Sequence, residues 1–202
     1  MSDINAVVVA GSQNPRAQSL KVAEEIRDRL AKDRRFAAPT LIDLAAEPLP
    51  FFGDGSSADA AARVQSVGDS VMAADALVLV TPEWHGMATA AVKNFFLHYS
   101  SGQLAHKPGL IVTVSASTGG AYPVAELRSS SYKNSRICYL PEHLIVRSVG
   151  QVFNASGDND PVSQEYLSKR LDFCLDSLAA YAIGFRAIRA ALPDASAYPN
   201  GM

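Results

Sequence analysis

Short, nearly continuous apolar runs alternate along this chain with longer stretches in which apolar residues recur every three or four positions. Continuous apolar runs are typical of strands buried on both faces of a parallel sheet. The pattern predicts five strands, at residues 6–10, 40–43, 77–81, 110–115 and 144–148. The periodic stretches between them predict helices that each bury one apolar stripe against the sheet.

Three stretches show the helical period most clearly, and the last is expected to begin near Pro161, behind the polar run SGDND. Their apolar residues are Leu20, Ala23, Ile26 and Leu30 after the first strand, Val92, Phe95, Phe96 and Tyr99 after the third, and Leu167, Leu171, Cys174, Leu178 and Phe185 near the carboxyl terminus. Strands that alternate with helices predict an α/β fold. We expect a three-layer sandwich, with a parallel five-stranded sheet between two layers of helices.

The composition fits one globular domain. The chain has 202 residues, of which 48% are hydrophobic and 19% charged, enough for a substantial core. We predict a single domain over residues 1–190 and a tail over residues 191–202. The formal net charge of −2 argues against nucleic acid as the main partner, because proteins that neutralise phosphates usually have a basic excess.

The pattern gives no sign of disulfide, metal or membrane chemistry. The two cysteines, Cys138 and Cys174, have no CxxC spacing and are expected to be small buried hydrophobes. The four histidines lack the spacing of metal ligands, so no metal site is predicted. The amino terminus has no basic leader, and no apolar run approaches the about 20 residues of a membrane span. We therefore expect a cytoplasmic protein.

Three polar or small-residue loops follow the predicted first, third and fourth strands. In open parallel sheets, ligands bind beyond the carboxyl ends of the strands, where the strand order reverses. The first loop and the helix behind it offer side-chain donors from Ser12, Arg16, Gln18 and Ser19. Together with the unpaired amides of a helix N-terminus, these donors predict an anion site. The alternative is that Ser19 merely caps a helix that begins at Leu20.

The other two loops indicate a site for a flat ligand. In the second, Pro82 ends the strand ladder, Gly86 allows close backbone approach, and Trp84 offers a platform for a heteroaromatic ring. Alternatively, Trp84 packs in the core and His85 is an ordinary surface histidine. The third loop, SASTGG at residues 115–120, either presents its backbone to a ligand or is simply a flexible turn.

These loops resemble the motifs of the NADPH-dependent FMN reductase family, flavodoxin-like proteins that include quinone, azo-dye and chromate reductases. The family's loops read GSxRxxS, then PEYNG before a helix that begins near KN, then SxSxGG. This chain has GS at 11–12 with RAQS at 16–19, PEWHG at 82–86 with KN at 93–94, and SASTGG at 115–120. The segment EPLPFFGDG at 47–55 is also similar, and the likeness extends over about residues 6–185. The first loop has two extra residues before Arg16, and Trp84 and His85 stand where the family usually has tyrosine and asparagine.

The resemblance implies a flavodoxin-like sheet with strand order 2-1-3-4-5, and an FMN-dependent enzyme that forms a homodimer or homotetramer. Hydride would pass from NADPH through bound FMN to a small acceptor such as a quinone, a flavin, an azo compound or a metal oxyanion, without a catalytic side chain. The implied site residues are Ser12, Arg16, Gln18 and Ser19 around the FMN phosphate, Pro82, Glu83, Trp84, His85 and Gly86 against the isoalloxazine ring, and Ser115, Ser117, Gly119 and Gly120 on its other side.

Two alternatives come from other functional classes. One is an FMN-binding electron carrier without turnover, although such carriers have acidic surfaces and this chain is only mildly acidic. The other is a partner-binding or regulatory protein that has lost flavin. A dinucleotide-binding Rossmann domain is disfavoured, because Gly11 stands alone where G-x-G-x-x-G is required. The P-loop and the G-x-S-x-G elbow of hydrolases are absent, and the GDS at 68–70 lies in a predicted helix.

Overall fold

The fold is a five-stranded, all-parallel sheet with the order β2-β1-β3-β4-β5. It was obtained as a computed structural model, which describes residues 3–54 and 57–198. The strands are β1 (Ala6–Ala10), β2 (Thr40–Asp43), β3 (Ala76–Pro82), β4 (Pro108–Val114) and β5 (Cys138–Val146). Residues 1–2 of the predicted domain, Gly55 of the segment 47–55 and residues 199–202 of the predicted tail lie outside the described residues.

Helices cover both faces of the sheet, which confirms the predicted three-layer sandwich. They are α1 (Gln18–Lys32), α2 (Ala58–Ala73), α3 (Ala90–His98), the short α4 (Ser101–Leu104), α5 (Ala121–Ser130) and α6 (Pro161–Ala191), with a single 3-10 turn at Val149–Gln151. One buried core lies between the sheet and helices α1 and α6, and a second lies between the sheet and helices α2, α3 and α5. Of the predicted stripe, Val92, Phe95 and Tyr99 face the sheet with at most 1% exposure, whereas Phe96 is only partly buried, at the margin of the second core.

Strand β5 differs most from its sequence prediction. It begins at Cys138, six residues before the predicted start, and ends at Val146, two residues before the predicted end. The apolar-run criterion missed its first half because β5 is an edge strand, on which Pro141, Glu142 and His143 are only partly buried or exposed. An edge strand tolerates proline and polar side chains that a central strand excludes.

Other sequence predictions can be checked directly. The GDS at 68–70 lies inside α2, as expected. Cys174 is buried as predicted, whereas Cys138 is only half-buried, and both are free thiols. Among the described residues, no helix combines the length and apolar character needed to cross a bilayer. Within the same ranges, no three His, Cys, Asp or Glu side chains come together as a metal site would require.

Lys107 is a buried cation that should make stability depend on pH. Its Nζ donates to the carbonyls of Val71 and Met72 at 2.7 Å each, at the end of α2. Burial lowers the pKa of Lys107 to about 8. Between pH 8 and 10 the unfolded chain therefore binds more protons here than the folded chain, so the free energy of unfolding rises with pH. The free energy of unfolding of wild type, measured by urea titration and compared with that of Lys107→Met, should rise by on the order of 2 kcal/mol between pH 8 and pH 10. A difference that does not change with pH would contradict this assignment.

Candidate active site

The three predicted loops meet at the carboxyl edge of the sheet, because β1, β3 and β4 are neighbours in it. Gly11 N donates to Val80 O at 2.8 Å, and Glu83 N donates to Val114 O at 2.9 Å. The hydroxyl of Thr89 donates to the carbonyl of Gly11, which joins the start of α3 to the first loop. A Cβ at position 11 would lie 2.3 Å from Val92 Cγ2, so only glycine allows α3 to pack this closely.

The first loop is folded by its own side chains. Ser12 is buried, and its Oγ accepts from the amide of Asn14 at 3.0 Å. The Asn14 side chain in turn accepts from the amide of Arg16 at 3.0 Å. The side chain of Arg16 is exposed and makes no hydrogen bond or ion pair within the described residues. Arg16 is therefore a free cation at the rim of the loop.

The N-terminus of α1 lies directly behind this loop and has no side-chain acceptor of its own. Its cap residue, Ala17, provides no side-chain hydrogen bond, and the first turn contains no acidic residue. Ser19 lies inside that first turn with 1% exposure, and its Oγ is buried without a partner in the part of the chain that the structure describes. The alternative in which Ser19 caps a helix beginning at Leu20 is therefore wrong. A buried unpaired hydroxyl is costly, and an anion at a helix N-terminus would remove that cost.

The second loop forms a tight hairpin turn that presents its aromatic side chain. Trp84 and Met87 exchange two backbone hydrogen bonds of 3.0 Å, and the central residues His85 and Gly86 have φ of 51° and 75°. Positive φ at both central positions is the type I′ turn, which favours asparagine or glycine over other residues. Trp84 is 38% exposed, so the alternative that it packs in the core is wrong. His85 is at the exposed tip of this turn.

The side chain of Glu83 has a role that the sequence did not indicate. Its Oε2 accepts from the amides of Gly120 at 2.8 Å and Tyr122 at 3.2 Å, at the N-terminus of α5. Glu83 thus links the second loop to the third and acts as the acceptor that the first turn of α5 requires. The carboxylate of Glu83 is therefore directed to the third loop and not to the turn formed by Trp84 to Met87.

Glu126 anchors the far end of the second loop from α5. Its carboxylate accepts from the amide of Ala88 at 2.6 Å and pairs with Lys93 Nζ at 2.5 Å. Burial alone would raise the pKa of Glu126, but the hydrogen bonds from Lys93 and Ala88 lower it below its usual value. The second loop is therefore fixed to α5 at both ends, through Glu83 and Glu126.

The third loop is held by its carbonyl groups. Thr113 Oγ1 donates to Gly120 O at 2.6 Å, and Ser148 N donates to Ser117 O at 3.0 Å. Gly120 has a φ of 107°, and a Cβ there would lie 2.5 Å from Ile145 Cγ2, so this position needs glycine. These contacts anchor the loop to β4 and to the segment that follows β5. The amides of Thr118 and Gly119 find no acceptor among the described residues.

The sequence matches the family described as NADPH-dependent FMN reductase over residues 4–151. The chain belongs to that family. The family match confirms the resemblance drawn from the three loops, and it spans all the predicted site residues. The NADPH-dependent FMN reductases are oxidoreductases, so the expected enzyme class and the pairing of NADPH with FMN are confirmed at the level of the family.

A curated relative is the NADPH azoreductase of Bacillus sp. (strain OY1-2), 32% identical over 125 residues. The match covers 61% of this chain and 66% of that protein's length. Among solved structures, the NAD(P)H:(acceptor) oxidoreductase FerB from Paracoccus denitrificans superposes with a TM-score of 0.69 at 22% identity, covering 91% of this chain and 99% of that one. An oxidoreductase from Corynebacterium diphtheriae gives a TM-score of 0.68 at 14% identity, with 90% and 98% covered. These two likenesses establish the fold, which is flavodoxin-like as predicted.

The residues present fit FMN as this reductase family would bind it. A phosphate such as that of FMN would supply the acceptor that the buried Ser19 hydroxyl and the uncapped turn of α1 lack. The exposed Trp84 and the unpaired amides of Thr118 and Gly119 lie beyond the neighbouring strands, at the same edge of the sheet. The individual site residues stay predictions.

Proposed function

We propose that this reductase family member binds FMN at the carboxyl edge of its sheet and oxidises NAD(P)H at that site. The observation that supports this most directly is the buried, unpartnered Oγ of Ser19 in the uncapped first turn of α1. An unpaired hydroxyl and free helix amides at one place are suited to a phosphate group. With the phosphate at α1, the sugar chain and the ring of FMN would extend along the edge of the sheet toward the loops after β3 and β4.

Each loop has a distinct role in this proposal. The phosphate is held by the hydroxyls of Ser12 and Ser19, the side chain of Gln18 and the first amides of α1. Arg16, at the rim, adds positive charge either to that phosphate or to the incoming NADPH. All four residues lie in or next to the segment between β1 and the first turn of α1.

The ring of the flavin is placed between the second and third loops. Pro82 to Gly86 would lie along one side of the ring, with Trp84 as the aromatic surface. Ser115, Ser117, Gly119 and Gly120 would close the other side through backbone groups. When bound, FMN supplies the hydride chemistry itself, and the chain's part is to orient it and to present amide donors to its polar edge.

The acceptor is proposed as a small oxidant of the classes predicted from the sequence: a quinone, a free flavin, an azo compound or a metal oxyanion. The names of the relatives support this range, since one is an azoreductase and another an NAD(P)H:(acceptor) oxidoreductase. An assay over a panel of these acceptors, with NADPH and with NADH, would identify the preferred class.

Absorbance separates this function from its alternatives. We expect the purified protein, with added FMN if needed, to retain a yellow flavin after gel filtration and to bleach on addition of NADPH under argon. Retention without bleaching by NADPH or NADH would indicate an electron carrier. A colourless protein that does not retain added FMN would contradict flavin binding altogether and leave the partner-binding alternative.

We also propose a homodimer, or a homotetramer built from such dimers, paired through the groove between α3 and α5. This groove has a volume of about 710 Å³ and is lined by Phe52, Phe96 and Leu97, with Lys93 and Glu126 among its polar residues. Phe52 and Leu97 are 58% and 56% exposed, and an exposed apolar patch of this kind favours a contact with another protein surface. Lys93 and Glu126 pair with each other within one chain, so the apolar side chains of the groove are the part that a second copy would cover.

Sedimentation velocity tests this pairing. Leu97→Asp should convert the assembly to monomers, because it places a charge in the apolar contact. The matched control is Ile188→Asp on α6, where the wild-type side chain is 44% exposed and outside the groove, and it should remain at least dimeric. A monomeric wild type, or equal effects of the two variants, would contradict the assignment. The domain over residues 1–190, the tail and the cytoplasmic location stay predictions from the sequence.

A further inference from the structure

An arginine that belongs to none of the three loops holds the third loop from behind. Arg147 follows β5 directly, and its Nε donates to the carbonyls of Thr118 at 2.7 Å and Gly119 at 3.1 Å. Its side chain is exposed and forms no ion pair within the described residues. Two loop carbonyls are therefore the only partners found for this guanidinium in those ranges.

The residues next to Arg147 hold the same loop from the same side. Ser148 N donates to Ser117 O at 3.0 Å, and Val149 N donates to Ser115 O at 3.1 Å. Ser148 reaches this position with a left-handed φ of 46°, which costs energy for a residue with a side chain. The segment 147–149, which follows β5, thus donates to four carbonyls of the third loop, those of Ser115, Ser117, Thr118 and Gly119.

The orientation of these carbonyls determines where the loop's amides point. In a trans peptide the N–H group points opposite to the carbonyl of the same peptide unit. Holding the carbonyls of Ser117 and Thr118 toward β5 therefore turns the amides of Thr118 and Gly119 away from it. β4 lies between β5 and β3, so the direction away from β5 leads toward β3 and the second loop, whose Glu83 accepts from Gly120 of this same loop. Neither of these two amides has an acceptor among the described residues.

We propose that Arg147 is a positioning residue of the flavin site. It fixes the peptide units between Ser117 and Gly119 so that two amide protons meet the polar edge of the flavin ring, and it places a positive charge behind them. This inference rests on the proposed function. Because reduction adds electron density to that edge of the ring, the donors and the charge should favour reduced FMN over oxidised FMN.

Arg147→Gln tests this role, with Arg147→Lys as the conservative variant. The matched control is Arg128→Gln, because Arg128 also donates to two backbone carbonyls, those of Leu140 and Pro141, but within β5. We expect Arg147→Gln to weaken binding of oxidised FMN about tenfold in fluorescence titrations. We expect the affinity for reduced FMN to fall tenfold more than the affinity for oxidised FMN. That difference lowers the two-electron midpoint potential of the bound flavin by about 30 mV. Arg147→Lys should recover part of both losses.

Thermal unfolding of the flavin-free proteins separates positioning from general stability. Arg147→Gln should lower the melting temperature no more than Arg128→Gln does, while only Arg147→Gln changes the potential. An unchanged FMN affinity and potential in Arg147→Gln would overturn the inference, as would equal changes in Arg128→Gln. If wild type itself binds no FMN, the proposed function fails and this inference fails with it. If wild type binds FMN and the variants match it, only this inference fails.

Discussion

Replacing Ser12 and Ser19 together with aspartate is expected to lower the affinity for FMN by at least about 100-fold, because two carboxylates would face a doubly charged phosphate. Both side chains are almost fully buried, with 2% and 1% exposure, so water screens little of this repulsion. The helix amides, which would bind the phosphate in wild type, would instead be satisfied by the introduced carboxylates.

The matched control replaces the same two residues with alanine. Ser12→Ala with Ser19→Ala removes the hydroxyl donors but adds no charge, so we expect a loss of only about tenfold. Both double variants are titrated with FMN and with riboflavin, which lacks the phosphate. The aspartate variant should weaken FMN binding far more than riboflavin binding. Full FMN retention by the aspartate variant, with a native circular dichroism spectrum, would contradict the phosphate assignment.

Replacing Glu83 with alanine is expected to reduce both stability and FMN binding. The carboxylate accepts from Gly120 N and Tyr122 N, and without it the first turn of α5 loses its acceptor. We expect the free energy of unfolding to fall by about 2–3 kcal/mol, the range for losing hydrogen bonds to a charged group. FMN affinity should fall as well, because the third loop loses its link to the second. Glu83→Gln, which keeps one acceptor oxygen, should show about half of the stability loss.

Urea unfolding and FMN titration measure the two effects of Glu83 separately. The control is Glu142→Gln, which removes a carboxylate paired with Arg170 at the edge strand, where both side chains are 33% exposed. An ion pair of that kind contributes about 0–1 kcal/mol, and its loss should leave FMN binding unchanged. If Glu83→Ala has the same urea midpoint as wild type, the hydrogen bonds of Glu83 to Gly120 and Tyr122 do not stabilise the fold.

Much of the fold was predictable because its information is local. The central strands β1 and β3 are nearly uninterrupted apolar runs, so β1 was predicted to the residue and β3 within one residue at each end. The short strand β2, at one edge of the sheet, was also predicted to the residue. The edge strand β5 was predicted poorly, because its outer side chains face solvent and interrupt the apolar run. Placement of the loops then followed from the rule that ligands bind where the strand order reverses.

For the site, the sequence predicted which loops take part but not how their side chains pair. The sequence indicated donors near Ser19, but it could not show whether that hydroxyl caps a helix or remains unpaired, because the answer depends on where α1 begins. The contacts of Glu83 with Gly120 and of Arg147 with Thr118 join residues far apart in the chain. No local pattern marks them, so they emerge only once the strands have been assembled into a sheet.

A crystal structure grown with excess FMN would show directly where the flavin binds. We expect the phosphate within hydrogen-bond distance of Ser19 Oγ and the first amides of α1, with the ring between Trp84 and the amides of Thr118 and Gly119. FMN bound elsewhere, for example in the groove between α3 and α5, would contradict the proposed site. So would an α1 N-terminus closed by the side chain of Arg16 or Trp84 with FMN excluded.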